Sequence, residues 1–412
     1  MRICFFTENY YKGGLDTFLI NLFNAWPQEE DELTLLCNAS HPGLETIKEN
    51  TKRKIALQHY SFFYTSALSQ GQGKHKLARW KWLRAFYVLS HLVLQYPFLF
   101  CWYTLQLTRL FRRSNFERLM VVNGGYPASI IGISAVIAWN LAGKQQKPVF
   151  NFHNSTTPSP WYFRVQENWM DRALIRNSEK IVSVTKACLH SLFTRSAFAG
   201  CTNMQFIHNG IETPDLSQIK RVKNDANRYC LMLATYEPRK GHHYLLQAFK
   251  LVAETIPDIK LKVFGYVAKP HELEAIEVEV KRLSLEDKVE LNRFTNDKEA
   301  LIAGAAILVV PSQENESFGL TIIEAMALGT PVVTTDVGGM PEVLEGTGAG
   351  LVCSKSNPEA FATAMKQILN NKELATEMGQ NGLKVFNERY TATKMAEQYN
   401  FLLKSTPHGA NR

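Results

Sequence analysis

Several signatures are missing from this 412-residue chain, and each absence removes a class of chemistry. No two aspartates stand one residue apart, so the short D-x-D site for a divalent cation is lacking. There is no G-x-x-x-x-G-K-[ST] loop for a kinase or ATPase, no G-x-S-x-G nucleophile elbow and no H-E-x-x-H zinc helix. The seven cysteines, at 4, 37, 101, 188, 201, 230 and 353, form no C-x-x-C pair. Several lie in apolar, strand-like runs and read as buried reduced thiols, which predicts a cytoplasmic compartment. No secretory signal is expected either, because Arg2 to Thr7 runs straight into polar Glu8 and Asn9. Short-period repeats and low-complexity segments are absent.

With 45% apolar and 20% charged residues, the chain is globular. At about 100 to 200 residues per domain, two cores are expected. The net charge of +8 is unevenly spread: up to Glu212 there are 23 Lys and Arg against 13 Asp and Glu, and beyond it 23 against 25. The basic half is the one suited to an anionic surface or acceptor. Its sharpest cluster is Lys74, Lys76, Arg79, Lys81 and Arg84, interleaved with Trp80 and Trp82, just before the uncharged segment 85–105. Pro97 interrupts that segment, and His91, Gln95 and Gln106 recur on it, which argues against a membrane span. Two readings stay open for 74–105: a helix resting on an anionic membrane surface, or a core helix pair with a solvated basic face. No nucleic-acid partner is expected, since no basic helix or aromatic platform accompanies the charge.

Apolar runs at 3–7, 33–38, 55–59, 119–123, 149–153, 181–185 and 204–208 predict strands. Helical patterns fall between them at 15–24, 128–141, 161–176 and 186–193. The rhythm continues with strands at 230–235, 260–265, 289–291, 307–311, 332–335 and 351–353, and helices at 242–255, 271–284, 297–303, 318–328 and 358–370. Repeated βα alternation predicts an α/β chain with two parallel-sheet domains. Apolar periodicity vanishes over 212–227, which places the boundary at 1–212 and 213–388.

The richest stretch is PSQENESFGLTIIEAMALGTPVV, beginning at Pro311, in which Glu316 and Glu324 stand eight positions apart. Glu316 falls in the loop above a buried strand and Glu324 about one and a half turns into a helix starting near Phe318. The carboxyl edge of an open α/β sheet is where ligands bind. The N–H groups of Phe318, Gly319 and Leu320 would be free donors of a helix start, suited to phosphate, with the two glutamates accepting from hydroxyls on either side. A ligand with sugar, diphosphate and ribose in series fits. Arg239 and Lys240, before Gly241 at another strand end, suit the diphosphate, although a surface charge pair is the bland alternative. In the first half, Gly13 and Gly14 open a loop at the end of the first strand, and Asp16 either caps the next helix or meets an acceptor hydroxyl. His153 ends an apolar run, and Asn123 begins another loop that can shape the acceptor side.

These residues resemble family 4 of the retaining glycosyltransferases, the group 1 glycosyl transferases. The likeness is strong over 229–369, where ESFGLTIIEAMALGTPVVTTDVGGMPEVL matches the E-x₇-E donor motif and its Gly-Gly-x-Pro-Glu turn. It is weaker in KGGLDTFLINL, FERLMVVNGG, FNFH, IVSVTKA and FIHNGIE. The resemblance implies the GT-B fold, two Rossmann-like doubly wound domains facing across a cleft, with a last helix near 389–404 packing back on the first domain. It implies a nucleoside-diphosphate sugar as donor, no cofactor or metal, and a saccharide or lipid-linked acceptor in cell-surface polysaccharide or lipopolysaccharide synthesis. Glu316 would then meet the donor sugar, Glu324 the ribose, and Ser317, Phe318, Gly319 and Leu320 the sugar and diphosphate. Arg239 and Lys240 would hold the phosphate, Gly13 and Gly14 would let the donor approach, and His153 would lie near the reacting carbon. Many members carry an arginine five residues before that lysine, where this chain has Thr235. A GT-B nucleotide-sugar epimerase and a non-catalytic nucleotide-sugar-binding partner are the alternative readings.

Overall fold

The computed structural model describes residues 1–405 apart from 10–11, 63–95, 128–129, 160, 162, 218, 220–227, 268 and 296. The cation cluster at 74–84, most of 85–105 and much of 212–227 therefore lie outside the described residues. The chain divides into two compact units, Met1–Ser183 with Leu189–Phe206 and Tyr399–Arg412, and Val184–Cys188 with Ile207–Gln398. Among the described residues no helix is long and apolar enough to cross a membrane.

The first unit is built on seven parallel strands in the order β3-β2-β1-β4-β5-β6-β7. They are β1 (Arg2–Glu8), β2 (Glu32–Asn38), β3 (Ala56–Tyr60), β4 (Arg118–Asn123), β5 (Val149–Phe152), β6 (Lys180–Ser183) and β7 (Met204–Phe206). Near-continuous apolar runs such as Ile3, Cys4, Phe5 and Phe6 are fully buried, as a sheet covered on both faces requires. Helices α1 (Gly14–Asn24), α2 (Leu44–Asn50), α3 (Tyr96–Arg113), α4 (Ile130–Leu141) and α5 (Arg164–Asn177) punctuate the strands, and α6 (Lys186–His190) is divided, its residues up to Cys188 belonging to the second unit. The helix expected from 161 begins at Arg164, and the one expected from 128 is described from Ile130. Tyr399, midway along the last helix, accepts a hydrogen bond from Asn151 Nδ2 at 2.8 Å and sets its ring edge-on to Phe18. The strand order reverses between β1 and β4, which makes their carboxyl ends the switch point.

The second unit repeats the plan with six strands, β10-β9-β8-β11-β12-β13. These are β8 (Tyr229–Leu233), β9 (Lys260–Gly265), β10 (Val289–Arg293), β11 (Ile307–Val310), β12 (Val332–Thr335) and β13 (Gly350–Cys353). Its helices are α7 (His242–Thr255), α8 (Pro270–Arg282), α9 (Lys298–Gly304), α10 (Leu320–Ala327), α11 (Met340–Leu344), α12 (Pro358–Leu369) and α13 (Lys372–Val385), and α14 (Ala392–Lys404) belongs to it as far as Gln398 and to the first unit from Tyr399. The switch point falls between β8 and β11, whose pairing is confined to Ile307 with Cys230 and Leu308 with Leu231. The division after Phe206 precedes the loss of periodicity at Glu212, because Ile211 exchanges backbone hydrogen bonds with Tyr390 and Ala392 of the second unit.

Candidate functional site

At the second switch point two loops meet. The loop after β8 closes in a short 3₁₀ turn, Pro238–Lys240, and left-handed Gly241 then launches α7. Its Arg239 carbonyl accepts the Gln313 N–H of the β11 loop at 2.7 Å, which fixes the two loops together. Across that junction Lys240 Nζ lies 2.5 Å from Glu316 Oε2, with both side chains 17% exposed. Ser312 Oγ donates to the same carboxylate oxygen at 3.3 Å. Arg239 turns away to Glu237, Nε to Oε2 at 2.6 Å. The adjacent cations thus pair with different carboxylates.

The helix bearing Glu324 starts at Leu320 rather than Phe318, because Gly319 takes a left-handed conformation as its N-cap and its carbonyl accepts Ile322 N–H at 2.9 Å. Among the described residues no hydrogen-bond acceptor meets the N–H of Phe318, Gly319 or Leu320. Glu324 Oε1 is held by Lys298 Nζ at 2.7 Å. Behind this loop sits a scaffold that motif reading did not resolve. Gly338 has φ 61°, and a Cβ there would stand 1.8 Å from the Glu316 carbonyl oxygen. Only glycine lets the Gly-Gly turn lie against the glutamate loop, where Gly339 N–H donates to that same carbonyl at 2.9 Å. Thr185 Oγ1 donates to the Ser317 carbonyl at 2.8 Å. Glu342 accepts the N–H groups of Lys186 and Ala187 at 2.9 and 3.1 Å, and His208 Nε2 lies 3.0 Å from it. The Glu of G-G-M-P-E was the available signal, yet its partners lie 134 to 156 positions away.

The first unit gathers its candidates at its own switch point. Asp16 is not the N-cap of α1: that place is taken by Gly13, and Asp16, at the third helical position, reaches back with Oδ2 to accept the Gly13 N–H at 2.9 Å while Oδ1 lies 2.9 Å from His41 Nε2, which braces the loop containing Gly13 and Gly14. His41 is buried and was not singled out in the sequence. Asn123 ends β4, donates from Nδ2 to the Gly125 carbonyl at 2.7 Å and accepts the His153 N–H at 3.1 Å. The His153 ring packs edge-on to Phe18 with centroids 4.3 Å apart. Burial pushes its pKa down to about 3, so the imidazole is neutral at physiological pH. Its Nε2 is shielded from water without a hydrogen-bond partner among the described residues. The Thr235 hydroxyl is likewise shielded and unpaired among the described residues.

Residues 215–385 match the family described as "Glycosyl transferases group 1". The second unit is therefore a group 1 glycosyl transferase domain. An N-acetyl-alpha-D-glucosaminyl L-malate synthase of Bacillus anthracis is 29% identical over 55% of this chain and 60% of its own length. The capsular polysaccharide biosynthesis glycosyltransferase CapM of Staphylococcus aureus is 24% identical over 70% of this chain and 79% of its own. The crystal structure of Anabaena HepE in complex with UDP superposes with a TM-score of 0.72 at 17% identity, covering 98% of this chain and all of that one. The fold is thus GT-B, with both parallel-sheet units represented. The chain spans about half the length of most of the curated relatives it matches.

Proposed function

We propose that this protein is a retaining glycosyltransferase that moves a sugar, without a metal ion, from a nucleoside-diphosphate sugar to a saccharide or lipid-linked acceptor in cell-surface polysaccharide or lipopolysaccharide synthesis. The observation that carries the reading is the Lys240–Glu316 pair at the switch point of the second sheet, beside the unpaired N–H groups of Phe318, Gly319 and Leu320. A cation and amide donors suit a diphosphate there, and a carboxylate next to them suits the sugar hydroxyls. Glu324 takes the ribose, while Ser317 and Leu320 complete the cradle. HepE, which shares the fold, has also been crystallised with UDP-glucose, so that compound is the first donor to try. The relationship to CapM supports a cell-surface product.

In the step we propose, the bond from the anomeric carbon to the diphosphate oxygen breaks. The acceptor oxygen bonds to the same face, and its proton passes to the departing phosphate. Lys240, and Arg239 once released from Glu237, stabilise the charge that develops. Glu316 fixes the sugar. His153, neutral at the end of β5, orients sugar or acceptor by hydrogen bonding, while Gly13 and Gly14 let the diphosphate approach; Asp16 and Asn123 shape the acceptor side. The absence of D-x-D supports the metal-free reading, and membrane proximity through 74–105 on the cytoplasmic side is part of the proposal.

Lys240→Ala is expected to cost about 2.7 to 4 kcal/mol in transition-state stabilisation, roughly a hundred- to a thousandfold in turnover. Near-wild-type release of nucleoside diphosphate with acceptor present would overturn the assignment. Epimerised donor in the absence of acceptor would favour the epimerase, and donor binding without any turnover the binding protein.

A further inference from the structure

The first unit carries an exposed face that the site above does not use. Helices α3 and α5 each lead into a strand of one parallel sheet, β4 and β6, and both pack on α4, so they run in the same direction on the same side. Their outer stripes follow one order. On α3, Phe98 at 69% and Leu105 at 49% exposure come first, with exposed Cys101 between them, and exposed Arg109 and Arg112 follow. On α5, Val165 at 88% and Trp169 at 57% exposure precede exposed Arg172 and Arg176. Steps of three and four residues put each set on one helix face. The apolar ends touch, since Phe100 and Trp169 meet edge to face at 5.6 Å. No carboxylate joins the stripes: α3 has none, and the two on α5, Glu167 and Asp171, face Arg195 at 2.8 and 2.9 Å.

We propose that this two-helix face docks on the surface of an anionic lipid bilayer. The apolar ends enter the boundary between headgroups and acyl chains, and the arginines engage lipid phosphates. An exposed apolar band that is followed, along both described helices, by cations is the pattern of an interfacial surface. A second copy would set arginine against arginine when its helices run parallel to these, and arginine against apolar side chains when they run antiparallel, so neither arrangement gives the cations an anionic partner. The inference deepens the membrane part of the proposed function, and it assigns the contact to described residues on two helices rather than to the cations at 74–84. Each helix ends where its strand begins, so its apolar end is level with the carboxyl edge of the sheet. Docking therefore brings Asn123 and His153 to the side where the headgroup of a lipid-linked acceptor would stand.

The test is co-sedimentation with phosphatidylglycerol-rich and with purely phosphatidylcholine vesicles, using the full chain. Val165→Ser with Trp169→Ser is expected to weaken binding to the anionic vesicles at least tenfold. Arg172→Glu with Arg176→Glu should do the same and abolish the preference for anionic lipid. Melting temperatures should stay near wild type, because these side chains are exposed. Brominated lipid should quench wild-type tryptophan fluorescence more than that of Trp169→Phe. Anionic binding unchanged in both double variants, or equal binding to both vesicle types, would overturn the proposal. Loss of binding only on neutralising the cations at 74–84 would overturn it while leaving the membrane reading of the proposed function standing. Failure of the wild type to bind would sink both.

Discussion

A diphosphate and a sugar hydroxyl entering between Lys240 and Glu316 each compete with an ion pair already closed at 2.5 Å. Removing one charge should therefore separate binding from chemistry. Glu316→Gln is expected to bind UDP at least as tightly as wild type, because Lys240 loses its competitor, while turnover falls roughly a hundredfold as the sugar loses its anchor. Calorimetry with UDP and steady-state kinetics together check this, and weaker UDP binding would contradict it. Gly338→Ala meets the Glu316 carbonyl at 1.8 Å and demands φ 61° of a residue with a Cβ. It should cost about 1 to 3 kcal/mol of stability in denaturant melts and lower donor affinity along with it. The glutamate spacing could be read in the sequence because strand, loop and helix are contiguous there. His41 and Glu342 could not, since what they hold is set by contacts 25 and more than 130 positions away.

Elements were more legible than contacts. Buried parallel strands announce themselves as short apolar runs, and every expected strand is present within two residues of its ends. Helix starts shifted where backbone chemistry intervened, as at Gly319. Helix α13 is not among the expected elements, and it carries two poor helix formers, Gly379 and Gly382. In fact Gly379 is demanded by packing, for a Cβ there would stand 2.4 Å from the Gly329 carbonyl oxygen. At the start of α7, His242 is buried and stacked on Tyr236 at 5.1 Å, and burial pushes its pKa down to about 4. A neutral histidine in the folded chain whose unfolded form titrates near 6.5 adds stability that is complete above that pH and lost as pH falls toward 4. His153 acts in the same sense toward about 3. His242→Phe should therefore flatten the fall in melting temperature between pH 6.5 and 4; an unchanged slope would assign the acid sensitivity elsewhere.

For the whole molecule, two separate cores mean that a donor held by the second unit need not stabilise the first. UDP at a hundred times its dissociation constant should add about 2.7 kcal/mol to the unit that binds it. Calorimetry is then expected to show one transition rising and the other staying, and a uniform rise would mean that the two unfold together. Deleting the chain from residue 399 onward removes Tyr399 from Phe18 and Asn151 and Lys404 from Asp31. It should lower the first unit's transition and spare UDP binding. The same contacts bear on synthesis. The first sheet is fully translated at Phe206, yet the tyrosine that closes its core emerges 193 positions later. At about 5 to 20 residues per second the nascent first unit waits on the order of 10 to 40 s on the ribosome with Phe18 lacking the Tyr399 ring. Its chance of meeting a chaperone before it is whole is thus set by the speed of translation through the second unit.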